Sequence, residues 1–207
     1  MTATNTTARS KRGYHHGDLR AALIETGMRL IEFSDADQLS LRQVARAVGV
    51  SAASVYRHFP DKAALLAALA QEGLDRLGAA QRKAAAAAGY GSDGFNASGR
   101  TYVRFALKHP ALFRMIMAHT PQVDHFAADA ESVSSPMRWL RSSVAALAPE
   151  GATAAQQRSV ALSAWSRVHG LAMLMLDGQI ATDDRLIDDV INGDDLWRAA
   201  TSANLKN

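Results

Sequence analysis

A glycine and a proline eleven residues apart constrain this chain more than any other feature. Gly49 favours the end of a helix and Pro60 forbids the continuation of one. The stretch from Ser40 to Lys62 is therefore divided into two helices, each too short to be stable alone. Ser40 stands three residues before Gln43 in a capping-box pattern, and Leu41, Val44, Ala45 and Val48 then share one face. Val50 and Ser51 form the turn, with Ser51 as N-cap of a second helix over residues 52–59, and Asp61 caps the helix that follows. Val44, Val48, Val55 and Phe59 are expected in the core between these pieces. Two short helices joined by a tight glycine-containing turn, the second bearing polar and aromatic side chains, are the layout of a DNA-reading helix-turn-helix.

The rest of the chain reads as helix throughout. Residues 1–13 are rich in Thr, Ser, Arg and Lys without periodic apolar residues, and are expected to form a disordered basic arm in which Arg9, Lys11 and Arg12 can reach DNA. From Asp18, the spacing of Leu19, Leu23, Thr26, Leu30 and Ile31 predicts a first helix that stops near Phe33. A long helix is expected from residue 62 towards 88, with Leu65, Leu66, Leu69 and Leu77 inward, broken by three glycines in the segment GYGSDG. Further helices are predicted at 95–108, at 110–118 with Pro110 in its first turn, within 124–148, at 153–179 and at 184–200. Ser134, Ser135 and Pro136 leave open whether 124–148 is one helix or two. The second half of 153–179 is apolar almost all round (Trp165, Val168, Leu171, Met173, Leu174, Met175), so it must be buried against the body or a partner. The expected fold is all-α, with about nine helices and almost no sheet.

Composition narrows the classes of function. The absence of cysteine excludes disulfides, thiolate zinc sites and cysteine nucleophiles, and suits a reducing cytoplasm, where the chain is expected to reside. No stretch approaches the roughly 20 apolar residues of a membrane span. Residues 168–176 are broken by His169 and Gly170, and the N-terminus lacks the apolar stretch of a secretory signal, so no membrane partner is expected. The net charge of +3 lies wholly in the first third: residues 1–62 hold nine Lys/Arg against six Asp/Glu, and residues 63–207 hold fourteen of each. A basic end on a neutral body suits phosphate binding by that end. His15 and His16 invite a metal, but adjacent side chains on a helix diverge and no third ligand stands at suitable spacing. With no HExxH, no GxSxG and no glycine-rich phosphate loop, no metal, cofactor or catalytic residue is expected.

At the level of individual residues, LSLRQVARAVGVSAASVYRHFPDKAALLAAL resembles the DNA-binding segment of the TetR (tetracycline-repressor-like) family, with the likeness extending over about residues 14–70. WSRVHG, with Trp165, His169 and Gly170, resembles the WHG motif that names one TetR-type C-terminal domain, as does HPALFRMI from His109 to Ile116. The resemblance implies an N-terminal three-helix bundle with the helix-turn-helix (residues 14–62), a connecting helix (62–88) and a helical ligand-sensing and dimerisation domain (89–207). It makes Arg42 a base or phosphate contact and Ala52, Ala53 and Ser54 the groove-facing start of the recognition helix. Tyr56, His58 and Lys62 become phosphate contacts and Arg57 a further base contact, with Ser40 and Ser51 on the same DNA-binding surface. A phenol, an imidazole and an ammonium all donate to phosphate oxygens, and small residues let a helix approach base edges. Ala52 and Ala53 bring no donors, so Arg42, Ser54 and Arg57 would carry most hydrogen-bonded readout.

The body is less legible. His169 follows Trp165 by four residues and shares its helix face; the imidazole either bonds a neighbouring carbonyl in the core or faces an effector cavity. Tyr102, Phe105, Phe113, Met117, Trp139 and Met173 are the other candidates for such a pocket, an apolar wall with few polar anchors. Residues 177–195 hold seven aspartates against one arginine, read as a solvated acidic face or as an end that repels DNA. The resemblance implies a non-enzymatic homodimer, paired through the last two helices on a pseudo-palindromic double-stranded operator. A partly apolar small-molecule effector would relieve its repression. The alternatives are a sequence-tolerant architectural DNA binder and an enzyme with a DNA-binding appendage.

Overall fold

The computed structural model describes residues 16–33, 36–120, 124–126 and 133–192. The expected basic arm, His15, residues 127–132 and the last part of the expected 184–200 helix lie outside the described residues. Within them the chain forms nine α-helices and no strand.

The N-terminal part follows the local signals closely. Helix α1 (His16–Ile31) buries Leu19, Leu23, Thr26, Met28 and Ile31. A 3-10 turn, Ala36–Gln38, leads to α2 (Leu41–Val48). Ser40 Oγ accepts from the Gln43 amide at 3.2 Å while the Ser40 amide donates to Gln43 Oε1 at 2.8 Å, closing the capping box. Gly49 ends α2 at φ +81°, a left-handed conformation that suits glycine. Helix α3 (Ala52–Tyr56) is shorter than expected. Phe59, preceding Pro60, is barred from the helical region, and the last turn tightens until the His58 and Phe59 amides both donate to the Val55 carbonyl at 2.9 Å. Asp61 then caps α4 (Lys62–Ala87) through a 2.7 Å bond from the Ala64 amide.

Helix α4 packs against α5, α6 and α7 as well as α1. Its first half contributes Leu65, Leu66, Leu69 and Ala70 to a core that also holds Val44, Val55 and Phe59 and takes in Leu112, Met115 and Ile116 from α6 (Pro110–His119). Val48 packs on this core half-buried. One hydrophobic cluster thus joins the helix-turn-helix to a helix of the body.

Helix α5 (Gly91–Lys108) starts four residues earlier than the three glycines suggested. Only Ala88, Gly89 and Tyr90 separate α4 from α5. Gly94 sits inside α5 because a Cβ there would lie 3.0 Å from the Ala85 carbonyl oxygen of α4, so close approach rather than turn geometry explains it. Helix α7 (Ser135–Ala146) begins at the Ser134–Pro136 segment, which therefore starts a helix, with Asp124–Phe126 in irregular structure before it. Helix α8 (Ala154–Leu176) opens on a capping box between Thr153 and Gln156, and α9 (Asp184–Asn192) follows. A second cluster joins Leu77 of α4 with Tyr102, Val103 and Phe113, and with Leu171, Met175, Ile187 and Ile191 of α8 and α9.

Three of the five described aspartates of the acidic segment pair with arginines, and all five remain at least partly exposed. Asp184 and Asp188 pair with Arg104, Asp188 also with Arg100, and Asp177 with Arg114. Arginines of α5 and α6 thus hold α9 and the end of α8 by exposed or half-exposed contacts, each worth about 0–1 kcal/mol.

Candidate nucleic-acid interface and cavity

The helix-turn-helix presents its polar side chains outward from an apolar base. Val55 and Phe59 are fully buried, and the Arg20 guanidinium lies 5.4 Å from the centre of the Phe59 ring, fixing the end of α3 against α1. Arg42 is exposed on α2, as is Arg46 one turn later on the same face, a cation the motif reading passed over. Ala52 is half-buried and Ala53 exposed at the start of α3. Ser51 Oγ accepts from the Ser54 amide at 3.2 Å and lies 2.9 Å from Ser54 Oγ, which in turn accepts from Arg57 Nη2 at 3.2 Å. Ser40 and Ser51 are therefore engaged as caps, the Ser54 hydroxyl is held between Ser51 and Arg57, and Arg57 folds back along α3. Tyr56 is 47% exposed, and His58 and Lys62 are half-buried around the start of α4.

A cavity of about 490 Å3 lies in the body between α4, α5, α7 and α8. Of the eight residues suggested for a pocket, Tyr102, Met117, Trp139, Trp165 and His169 line it. Phe113 is fully buried behind Tyr102, edge-on to its ring with centroids 5.6 Å apart, while Phe105 and Met173 pack into the hydrophobic clusters. Residues that the sequence did not suggest for a pocket complete the wall, among them Leu74, Leu77 and Gln81 of α4, together with Thr120 and His125.

Two sets of polar groups stand out in this wall. Tyr102 Oη is 3.0 Å from His169 Nδ1 and also carries a hydrogen bond with Trp165. Burial raises the Tyr102 phenol far above its ordinary value, against the opposing effect of the Trp165 bond, and lowers the His169 imidazole. At neutral pH a neutral phenol and a neutral imidazole therefore share this hydrogen bond, and His169 bonds a side chain rather than a carbonyl. The second set is unpaired: Gln81 Oε1, His125 Nδ1 and Trp139 Nε1 are buried without a hydrogen-bond partner. Each such group forgoes about 1–3 kcal/mol of hydration or bonding.

Residues 23–69 match the family model described as bacterial regulatory proteins, tetR family, and residues 95–193 match a tetracyclin repressor-like C-terminal domain. The chain belongs to the TetR family. A protein of unknown function from Rhodococcus sp. RHA1 is similar over 91% of this chain and 98% of its own, with 32% identity and a TM-score of 0.67. A TetR transcriptional regulator from the same organism shares the fold at 21% identity and a TM-score of 0.54, over 91% of this chain and 97% of its own. A TetR variant from Acinetobacter baumannii AYE in complex with minocycline does so at 19% identity and a TM-score of 0.56, over 87% and 97%. Among curated proteins none matches. As a TetR-family transcription regulator, the chain carries its DNA-binding helix-turn-helix within the first matched segment. The second spans all of the cavity wall contributed by α5 to α9. No helix among the described residues is long and apolar enough to cross a membrane.

Proposed function

We propose that this TetR-family regulator is a homodimeric repressor, released from a pseudo-palindromic operator when a small molecule occupies the cavity of its body. One observation carries the reading: α4 belongs to both parts. Its first turns supply Leu65, Leu66 and Leu69 to the helix-turn-helix core, and further along it supplies Leu74, Leu77 and Gln81 to the cavity wall. A ligand that prefers one placement of α4 must then shift the placement of the reading head, in proportion to its differential affinity for the two states. The minocycline complex of a protein with the same fold supports a small-molecule effector.

In this reading Arg42, Ser54 and Arg57 face base edges, while Tyr56, His58 and Lys62 grip phosphates, with Ala52 and Ala53 letting α3 enter the major groove. Ser40 and Ser51 belong to the same surface through the helix starts they hold. Dimer contact falls to α8 with α9. Ala155, Ser159, Leu162, Ser166, Gly170 and Leu174 recur at helical spacing along α8, Leu162 and Leu174 are exposed apolar residues, and a Cβ on Gly170 would meet nothing within 4 Å. A stripe of small residues flanked by leucines suits close pairing with a second α8.

Selection of binding sites from random duplexes by the purified protein tests the reading. A palindromic consensus with half-sites about 34–36 Å apart is expected, bound by two chains and released by a compound that also protects the protein thermally. Absence of enrichment would leave a sequence-tolerant architectural binder in its place.

A further inference from the structure

Resting on the reading of the cavity as an effector site, we infer its ligand class. It is a neutral, ring-bearing molecule that offers a hydrogen-bond acceptor to Trp139 Nε1 and a donor to Gln81 Oε1.

The inference follows from which polar groups of the wall remain unpaired. Tyr102 is paired with His169 Nδ1 and with Trp165, and the Thr120 hydroxyl donates to the Ile116 carbonyl at 2.6 Å. Among the described residues, four buried side-chain polar atoms lack a partner, and three of them, on Gln81, His125 and Trp139, belong to this wall. An indole N–H can only donate, so Trp139 calls for an acceptor. Gln81 is equally definite. Its Nε2 donates to the Ser98 carbonyl at 3.3 Å, and because that carbonyl can only accept, the amide cannot be turned round; Oε1 is the atom left over, and it calls for a donor. His125 Nδ1 serves as either, according to tautomer, and sets no demand.

Charge and shape complete the class. The described wall contains no Asp or Glu, so a cationic ligand would find no counter-charge there, and its one strong cation, Arg167, already has an interaction within the protein. Trp139, Trp165, Tyr102 and Phe95 supply flat apolar faces. Since Gln81 lies on α4 and Trp139 on α7, a ligand making both contacts bridges these helices. They already touch where Arg82 Nη1 donates to Ser135 Oγ at 2.6 Å, and where a Cβ on Gly78 would meet the same oxygen at 2.5 Å.

Three fragments separate the contacts: toluene, with neither group; acetophenone, with an acceptor only; and phenol, as a donor. Each is titrated into the full chain without DNA, followed by the indole 15N–1H resonance of Trp165, for the wild type, Trp139→Phe and Gln81→Leu. Acetophenone is expected to bind about three- to tenfold more weakly to Trp139→Phe and unchanged to Gln81→Leu, with phenol showing the reverse. Toluene should stay within about twofold in all three proteins, which also certifies that the variants fold. Gln81→Met repeats the α4 arm. In the wild type, acetophenone and not toluene should move the Trp139 indole resonance downfield, which keeps the test available should Trp139→Phe misfold. Equal losses for toluene, indifference of both polar fragments to the substitutions, or preferential binding of phenyltrimethylammonium or benzoate would each overturn the assignment. Operator release, read separately by fluorescence anisotropy, tests the repressor reading: fragments that bind with this pattern and leave DNA binding unchanged would sink that reading and spare this one.

Discussion

Replacing Gly73 by alanine isolates the contact through which α4 meets α6. A Cβ at this position would lie 2.5 Å from Ile116 Cδ1, 2.7 Å from its Cγ1 and 3.3 Å from Leu112 Cδ1. Rotation about χ2 moves Cδ1 alone. Clearing Cγ1 requires a new χ1 or a displacement of α6, and Ile116 is fully buried. Helix propensity favours alanine by about 1 kcal/mol, whereas overpacking a core costs about 1–3 kcal/mol. Overlap at two atoms of one buried side chain places the cost in the upper part of that range, for a net destabilisation of about 1–2 kcal/mol. In a chain of this length the melting temperature should fall by about 2–8 °C. Urea unfolding provides the free energy, and Ile116→Val the control. That substitution removes Cδ1, the nearer of the clashing atoms, and by itself costs about 0.5–1.5 kcal/mol. Combined with Gly73→Ala it should restore about 1 kcal/mol relative to the sum of the single changes. A rise in stability for Gly73→Ala, or strict additivity of the pair, would show that α6 steps aside freely and would refute the close contact.

Three further outcomes are expected. Ser40→Ala opens the capping box of α2 and should destabilise the helix-turn-helix by about 1 kcal/mol, read as faster amide exchange in residues 41–48; unchanged exchange would show that packing alone holds the helix start. Lys62→Ala should reduce the slope of log affinity against log salt by about 1, on every DNA sequence alike, and an unaltered slope would remove Lys62 from the phosphate contacts. His169, whose imidazole burial lowers below its ordinary 6.5, binds a proton more readily in the unfolded chain. Its contribution is therefore lost as pH falls from about 7 through 6.5 towards the lower folded value, and stays constant beneath both. His169→Gln should accordingly show a smaller drop in urea midpoint between pH 7.5 and 5.5 than the wild type, and equal drops would assign the effect to other groups.

The helix-turn-helix was legible because its signals are local. Ser40 with Gln43, Gly49 and Asp61 each act within four residues, and each acts in the structure as the spacing implies. Errors arose where a signal had two physical meanings. The glycine run predicts a break that includes Gly94, yet Gly94 serves the contact of α5 with the Ala85 carbonyl, and Pro60 acts through the residues before it, ending α3 at Tyr56. Long-range pairings left no trace in sequence. The aspartates of α8 and α9 look solvated until Arg100, Arg104 and Arg114 are brought against them. Gln81, in an alanine-rich run with Arg82 and Lys83, has every mark of a surface residue; only the packing of α4 on α5 buries it over the Ser98 carbonyl. The aromatic residues of the cavity were nameable from composition because apolar walls use few residue types, but the unpaired polar atoms that would select a ligand are defined by partners they lack, a property of packing alone.

The same geometry gives α4 the character of a lever. Gly73 and Gly78 are the two glycines of α4 at which a Cβ would meet a side chain of a neighbouring helix at 2.5 Å, from α6 at the first and α7 at the second. With α6 as fulcrum at Gly73, Lys62 lies eleven residues or about 16 Å to one side and Gln81 eight residues or about 12 Å to the other. If α4 pivots as a rigid rod, a shift of about 1 Å at Gln81 becomes about 1.4 Å in the opposite sense at Lys62. The proposed effector contact at Gln81 and the proposed phosphate contact at Lys62 then oppose each other mechanically. Gly73→Ala should consequently alter the factor by which a cavity ligand changes operator affinity, beyond its effect on stability. Measured as the ratio of operator dissociation constants with and without a saturating ligand, that factor would be unchanged in the variant if the coupling ran instead through α7 and bypassed α6.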